Sequence, residues 1–184
     1  MPRRAVFLDR DDTLIRNTGV VSDGDLGDPD LVELLPGARQ ACDLLKDAGF
    51  FLAIVTNQGG VARGRYSEAA PHHVHERLNE LLDHAIDDWR CCPYHPRGTV
   101  PAYTREHPWR KPQPGMLLDL AREHDLDLTR SWSIGDKPRD CEAGKAAGCR
   151  TVLIADVADA HADVLASDVL HAARLVIEHD RRSR

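Results

Sequence analysis

Ala5-Val6-Phe7-Leu8-Asp9-Arg10-Asp11-Asp12 is the stretch on which the fold turns. Four apolar residues run without a break into four charged ones, which is how a buried parallel strand looks when it ends at a polar site. The pattern recurs three times. Residues 51–55 halt at Thr56-Asn57-Gln58-Gly59-Gly60, residues 132–134 at Gly135-Asp136-Lys137, and residues 151–154 at Ala155-Asp156. Between these runs the apolar spacing is helical: residues 36–48 closed by Gly49, residues 67–88 with Val74, Leu78, Leu81, Leu82 and Ala85 on one face, and residues 114–123. A last helix is expected from about residue 168 to 179. Alternating strands and helices define an α/β fold, a three-layer Rossmann-like parallel sheet with helices on both faces. In such sheets ligands bind beyond the carboxyl ends of the strands, where three of the four runs place their polar clusters.

Two stretches stand outside this rhythm. Residues 17–30 are rich in Gly and Asp and are expected to form a mobile flap beside the first strand's end. Residues 90–109 carry Cys91, Cys92, His95, His107 and four prolines, a long loop of the kind that is functional or metal-stapled. The histidines of Pro71-His72-His73-Val74-His75 read as a solvated helix start.

A chain of 184 residues, 42% of them apolar, suits one domain over 1–184 without a large cap. Its net charge of −6, from 30 acidic and 24 basic residues, supplies no field for nucleic acid or an anionic membrane, so a small diffusible ligand is expected. No apolar run approaches the roughly 20 residues that span a bilayer, and none suits a signal peptide. A cytoplasmic monomer is the expectation. The five cysteines, irregularly spaced, suit reduced thiols or a metal site better than a disulfide framework.

The chemistry gathers at Asp9-Arg10-Asp11. Carboxylates this close raise one another's pKa and call for compensation, and a divalent cation supplies it most simply. Oxygen donors of this hardness suit Mg²⁺, with Asp136 as a further carboxylate. Any one of these Asp residues, taken alone, could equally be a helix or turn cap.

Phe7-Leu8-Asp9-Arg10-Asp11-Asp12-Thr13-Leu14 resembles the first motif of the haloacid dehalogenase-like phosphatases, normally Asp-x-Asp-Gly-Thr. Ile54-Val55-Thr56-Asn57-Gln58, Arg110-Lys111-Pro112 and Gly135-Asp136-Lys137-Pro138-Arg139-Asp140 resemble the other three motifs, in order, and the likeness extends over about residues 5–152. The resemblance implies that Asp9 attacks phosphorus and becomes phosphorylated, and that Asp11 protonates the leaving alkoxide. It implies Mg²⁺ held by Asp9, the carbonyl of Asp11 and Asp136, with Asp140 orienting Lys111 or a metal-bound water. Thr56, Asn57 and Lys111 would meet the phosphoryl oxygens, and Thr13, Gln58 and Lys137 join them as expected phosphoryl- or substrate-binding groups.

Thr56-Asn57-Gln58-Gly59-Gly60-Val61-Ala62-Arg63-Gly64 and Arg110-Lys111-Pro112-Gln113-Pro114-Gly115-Met116 look, more narrowly, like the branch of D-glycero-D-manno-heptose 1,7-bisphosphate 7-phosphatases and histidinol-phosphate phosphatases. The expected substrate is therefore a small sugar phosphate, with Arg110 contributing to its recognition. Histidinol phosphate is the alternative, and a polynucleotide 3′-phosphatase or a non-catalytic sugar-phosphate binder rank below it.

Two departures from the pattern matter. Asp12 stands where the family has glycine, which adds charge and, in a left-handed backbone, strain. The branch's structural zinc is bound through Cys-x-His and Cys-x-Cys, whereas the chain reads Cys92-Pro93-Tyr94 and His107-Pro108-Trp109. Cys92 and His107, with Cys91 or His95, remain as conceivable ligands; a loop held by Trp109, Tyr94 and prolines is the favoured expectation.

Overall fold

The computed structural model describes residues 2–22, 24–157 and 159–182. Six parallel strands, β1 (Ala5–Leu8), β2 (Phe51–Asn57), β3 (Asp88–Cys92), β4 (Trp132–Gly135), β5 (Arg150–Ile154) and β6 (Val164–Ala166), form one open sheet in the order β3-β2-β1-β4-β5-β6. Five helices accompany them: α1 (Ala38–Asp47), α2 (Ala70–Leu81), α3 (Gly115–His124), α4 (Pro138–Ala147) and α5 (Val169–Arg182). β1 lies at the centre, with Phe7 opposite Ala53 of β2 and Ser133 of β4. The strand order reverses between β1 and β4, so the loops leaving these two strands diverge and open a crevice at their carboxyl ends.

Side chains alternate across β1, and each face has its own core. Val6 and Leu8 pack with α1, α2 and α5 through Ala41, Leu45, Val74, Leu78, Ala173 and Val176. Ala5 and Phe7 face α3 and α4 through Met116, Leu117, Leu120, Ala143 and Ala147. Burial on both faces is why β1 and β2 appear in the sequence as near-continuous apolar runs and β4 and β5 as mostly apolar ones. Among the described residues no helix is long and apolar enough to cross a membrane. In the two longest stretches outside these elements, residues 9–37 and 93–114, the described residues form only single 3-10 turns and isolated bridges such as Ile15 with Leu34, with no cap-sized domain among them.

Several boundaries differ from expectation. The apolar spacing that predicts one helix over residues 67–88 belongs to α2 and then to a turn. Asp83 and His84 are both left-handed, at φ 56° and 58°, and the Asn79 side chain takes over the role of the helix ladder by accepting from Ile86 N (3.0 Å) and donating to Ile86 O (3.3 Å). Leu82, Ala85 and Ile86 still reach the core, so the periodicity persists where the helix does not. The chain then enters β3, which absorbs the first residues of the expected 90–109 loop. β3 is an edge strand with a mixed sequence, and β6, though apolar, has only three residues and stops at no polar cluster that the sequence singles out. His75 is not solvated. It is 1% exposed, stacked on Trp89 with ring centroids 5.2 Å apart, and its burial holds its pKa well below the usual imidazole value.

α4 lies unusually close to the sheet, because a Cβ on Gly144 would stand 2.6 Å from Ser133 Cβ and 2.8 Å from Thr151 Cγ2. Gly→Ala in a helix interior is ordinarily stabilising by up to about 1 kcal/mol. For Gly144→Ala we expect the opposite sign, a loss of about 1–3 kcal/mol from overpacking. Urea unfolding checks it, and a raised midpoint would show that the helix has room to move away.

Candidate active site

Asp9 follows β1 directly and its N–H donates to Ile134 O of β4 (2.9 Å), so its side chain leaves the sheet at the switch point. Asp136 follows β4 in the same way. Lys111, distant in sequence, reaches between the strands. Its Nζ donates to Asp9 Oδ1 (2.8 Å) and to the Val55 carbonyl of β2 (2.8 Å) and lies 2.6 Å from Asp140 Oδ1 of α4. Its backbone is fixed as firmly: Asn57 Nδ2 donates to Lys111 O and Lys111 N donates to Asn57 Oδ1, each at 3.0 Å. Burial alone would lower the lysine's pKa, but Asp140 and Asp9 together carry it above the ordinary value, so it stays an ammonium.

Two carboxyls beside it also shift upward, which for them disfavours the charged form. Burial raises Asp140 against the pull of Lys111, and burial raises Asp136 too, Lys137 opposing and Asp9 adding to it. Carboxylate oxygens of Asp9, Asp136 and Asp140 all lie within 4.8 Å of one another. Asp140 is engaged on both oxygens, by Lys111 and by the Lys137 N–H (3.0 Å) that it caps at the start of α4. Lys137 Nζ lies 2.5 Å from Asp136. Three carboxylates facing two ammonium groups leave a residual negative charge built of hard oxygen donors, which fits a small divalent cation.

The Asp11 side chain stands apart from this cluster. Arg10 grips it with two bonds, Nε to Oδ1 (2.8 Å) and Nη2 to Oδ2 (3.2 Å), and Gln58 Nε2 donates to Oδ2 (2.7 Å). Arg10 is fully buried; burial would lower its pKa, but Asp11 raises it further. Nothing in the sequence beyond its place between two Asp residues distinguished Arg10.

These groups border a cleft of about 250 Å³ that Asp9, Asp11, Thr56, Asn57, Asp136 and Lys137 line together with three guanidinium groups, Arg63, Arg110 and Arg139. Thr56 Oγ1 accepts from Gln58 Nε2 (2.9 Å), leaving its own proton to be donated elsewhere. Arg110 donates to Tyr94 O (3.1 Å), and its pKa is lowered chiefly by burial, with Arg139 and Arg63 adding to it. Arg63 and Arg139 carry no motif reading of their own and become visible as a group only when the loops converge. Three expected phosphoryl- or substrate-binding residues are not part of the cleft's lining: Lys111 is buried beneath it against Asp9, Gln58 is buried behind it, and Thr13 borders a separate hollow beside Leu35, Pro36 and Ile154.

Asp12 has φ 58°, the left-handed conformation that the family's glycine serves. Its carboxylate accepts from Asn17 N (2.9 Å), Thr18 N (2.8 Å) and Thr18 Oγ1 (2.7 Å). The 17–30 stretch is further tied by Asn17 Nδ2 to Gly24 O (2.9 Å), Arg10 Nη2 to Leu26 O (3.2 Å) and Arg63 Nε to Asp25 Oδ2 (2.8 Å), so the expected mobile flap is fastened to the site at several points. In the other loop, Cys91, Cys92, His95 and His107 form no group of three within 4.8 Å of one another among the described residues. His107 stacks instead on Tyr94 at 4.2 Å and accepts from Trp109 N, while His95 Nδ1 accepts from Arg97 N.

A strand-terminal Asp9, a buried lysine clamped between two aspartates and a rim that carries three arginines meet at the switch point of a Rossmann-like sheet, an arrangement suited to a phosphorylated ligand. The "HAD-hyrolase-like" family model matches residues 108–179. The chain is 45% identical over 151 residues to the D-glycero-beta-D-manno-heptose-1,7-bisphosphate 7-phosphatase of Rhodopseudomonas palustris, covering 80% of this chain and 81% of that protein. It is 42% identical over 161 residues to the D-glycero-D-manno-heptose-1,7-bisphosphate 7-phosphatase of Thermosynechococcus vestitus, covering 84% and 80%. The crystal structure of the D,D-heptose 1,7-bisphosphate phosphatase of B. bronchiseptica, complexed with magnesium and phosphate, superimposes with a TM-score of 0.80 at 28% identity over 96% of this chain and 99% of that one. The chain belongs to the haloacid dehalogenase-like phosphatase family, and it is a phosphatase.

The Asp12 carboxyl lies below its ordinary pKa: partial burial works against the charge, but hydrogen bonds from Thr18 and Asn17 outweigh it. A lowered folded-state value means that these bonds contribute above the unfolded carboxylate pKa and are lost as pH falls through the lowered one. In Asp12→Ala the Asn17 and Thr18 amides should exchange roughly tenfold faster than in wild type at neutral pH. That difference should vanish in acid, as hydrogen-exchange measurements at matched pH would show.

Proposed function

We propose that this phosphatase is a Mg²⁺-dependent hydrolase of D-glycero-D-manno-heptose 1,7-bisphosphate that removes the 7-phosphate through an aspartyl-phosphate intermediate. The observation that carries the reading is the presence, in one cleft, of an Asp9 held by Lys111 and a group of three arginines, which suits a substrate with a phosphate at each end. The two 7-phosphatases of more than 40% identity support the same choice.

Asp9 attacks phosphorus in line while the P–O ester bond to the sugar breaks, and Asp11 gives its proton to the departing alkoxide. Water then attacks the acyl phosphate, Asp11 takes a proton from it, and phosphate leaves with Asp9 restored. Lys111 and Thr56 meet the charge on the transferring phosphoryl oxygens, and Asn57 keeps Lys111 in place through its backbone. Asp9, Asp136 and the Asp11 carbonyl would hold Mg²⁺, with Asp140 behind them; when bound, the ion neutralises phosphoryl charge. The arginine forks, Arg110 first among them, bind the second phosphate.

The test is phosphate release, with Mg²⁺ and with EDTA, from the heptose bisphosphate, histidinol phosphate, other sugar phosphates and a 3′-phosphorylated oligonucleotide. The expected result is Mg²⁺-dependent turnover that favours the bisphosphate and disappears in EDTA; preference for another substrate overturns the choice of substrate. Asp9→Asn should fold normally and lose at least about a thousandfold in kcat. Retention of several per cent of the wild-type rate would remove Asp9 as the nucleophile.

A further inference from the structure

Gln58 lies buried between three partners. Its Nε2 donates to Asp11 Oδ2 (2.7 Å) and to Thr56 Oγ1 (2.9 Å), and its Oε1 accepts from Tyr66 Oη (2.7 Å). An amide has two ends that differ only in whether they donate or accept, so something must decide which end faces Asp11. In the structure the NH₂ end faces Asp11, whose two oxygens Arg10 also holds, and the Oε1 end faces Tyr66. The Tyr66 hydroxyl holds that orientation from the other side by donating to Oε1 (2.7 Å), and burial pushes the phenol's pKa up, so the proton it donates stays on it. The ring that carries this hydroxyl has little freedom: a Cβ on Gly27 would lie 2.3 Å from Tyr66 Cδ1, and one on Gly60 would lie 2.4 Å from Tyr66 Cζ. Gly27 belongs to the stretch over the site and Gly60 to the loop after β2, so Tyr66 is wedged where the two meet.

We propose that Tyr66 is a positioning residue for proton transfer, acting on Asp11 through the Gln58 amide. This rests on the reading of Asp11 as the group that protonates the leaving alkoxide. With the hydroxyl present, the NH₂ end faces Asp11 and fixes the plane of its carboxyl. Without it, the amide is free to turn by half a rotation and present Oε1 to Asp11. That oxygen accepts the carboxyl proton that should go to the substrate, and Asp11 is left misaligned. The defect falls on the proton and not on phosphate binding, so it depends on how much the leaving group needs protonation.

The test compares an alkyl sugar phosphate with p-nitrophenyl phosphate, whose leaving phenolate departs without a proton. Phe fills the space of the Tyr66 ring. Tyr66→Phe is expected to lower kcat on the sugar phosphate about tenfold with KM unchanged, within the range that general-acid catalysis supplies. On p-nitrophenyl phosphate the change should stay within about twofold. Gln58→Leu should show the same selectivity between esters, and the double variant should be no slower than Gln58→Leu alone, because Tyr66 acts only through that amide. Equal slowing on both esters, or additive losses in the double variant, would overturn the proposal while leaving the phosphatase reading intact. Release of phosphate from neither ester by the wild-type protein would instead overturn the mechanistic reading and this inference with it.

Discussion

The buried ammonium of Lys111 is the charge around which the molecule is arranged. A cation at 3% exposure is tolerable only if anionic and polar partners surround it, and here they come from two strands and a helix: Asp9 beyond β1, the Val55 carbonyl on β2, and Asp140 in the first turn of α4. Because those partners lie on separate elements, the ion pair forms only when the sheet has its full order and α4 has docked on β4. Removing any of them would leave a charge without compensation in a space that water does not reach. Catalytic geometry and fold stability are thus two consequences of one contact.

Charge is divided by function within the cleft. The floor, at the ends of β1 and β4, carries an excess of carboxylate that invites a divalent cation. The arginines repel one another and invite an anion. On the proposed reading, a phosphorylated sugar with its cation would meet both excesses at once, which accounts for like charges held this close. The polar side chains behind the cleft have a different task. Asn57, Gln58 and Arg10 have much of their hydrogen-bonding capacity turned inward, onto Lys111 and Asp11, so they set the orientation of the reacting groups.

Much of this was legible along the chain. β1, β2, β4 and β5 announce themselves because central parallel strands are buried on both faces, and the charged residues that stop them mark the site. Edge strands have no such constraint, so β3, with Asp88 and Arg90 among its five residues, reads as part of a loop. The helical period continues past α2 because Leu82, Ala85 and Ile86 serve the core from a turn; periodicity reports which side chains are buried and not which backbone hydrogen bonds are made. His75 reads as surface for the opposite reason, since its partner Trp89 arrives from a strand that the sequence does not reveal.

The sequence by itself determined the residue types of the site and their order: strand-terminal Asp9 and Asp136, a Lys111 flanked by Arg110 and Pro112, and an Asp12 in a glycine's place. These are local facts, because each motif is contiguous and its chemistry follows from its side chains. Which of them touch was decided only by tertiary structure. The distance from Lys111 to Asp9 spans 102 residues of chain, the fork from Arg10 folds back on its own neighbour, and the turn of the Gln58 amide depends on Tyr66 and two glycines in different loops. Hydrogen bonds are directional and short-ranged, so a sequence can supply donors and acceptors, but only the closed fold assigns them to one another.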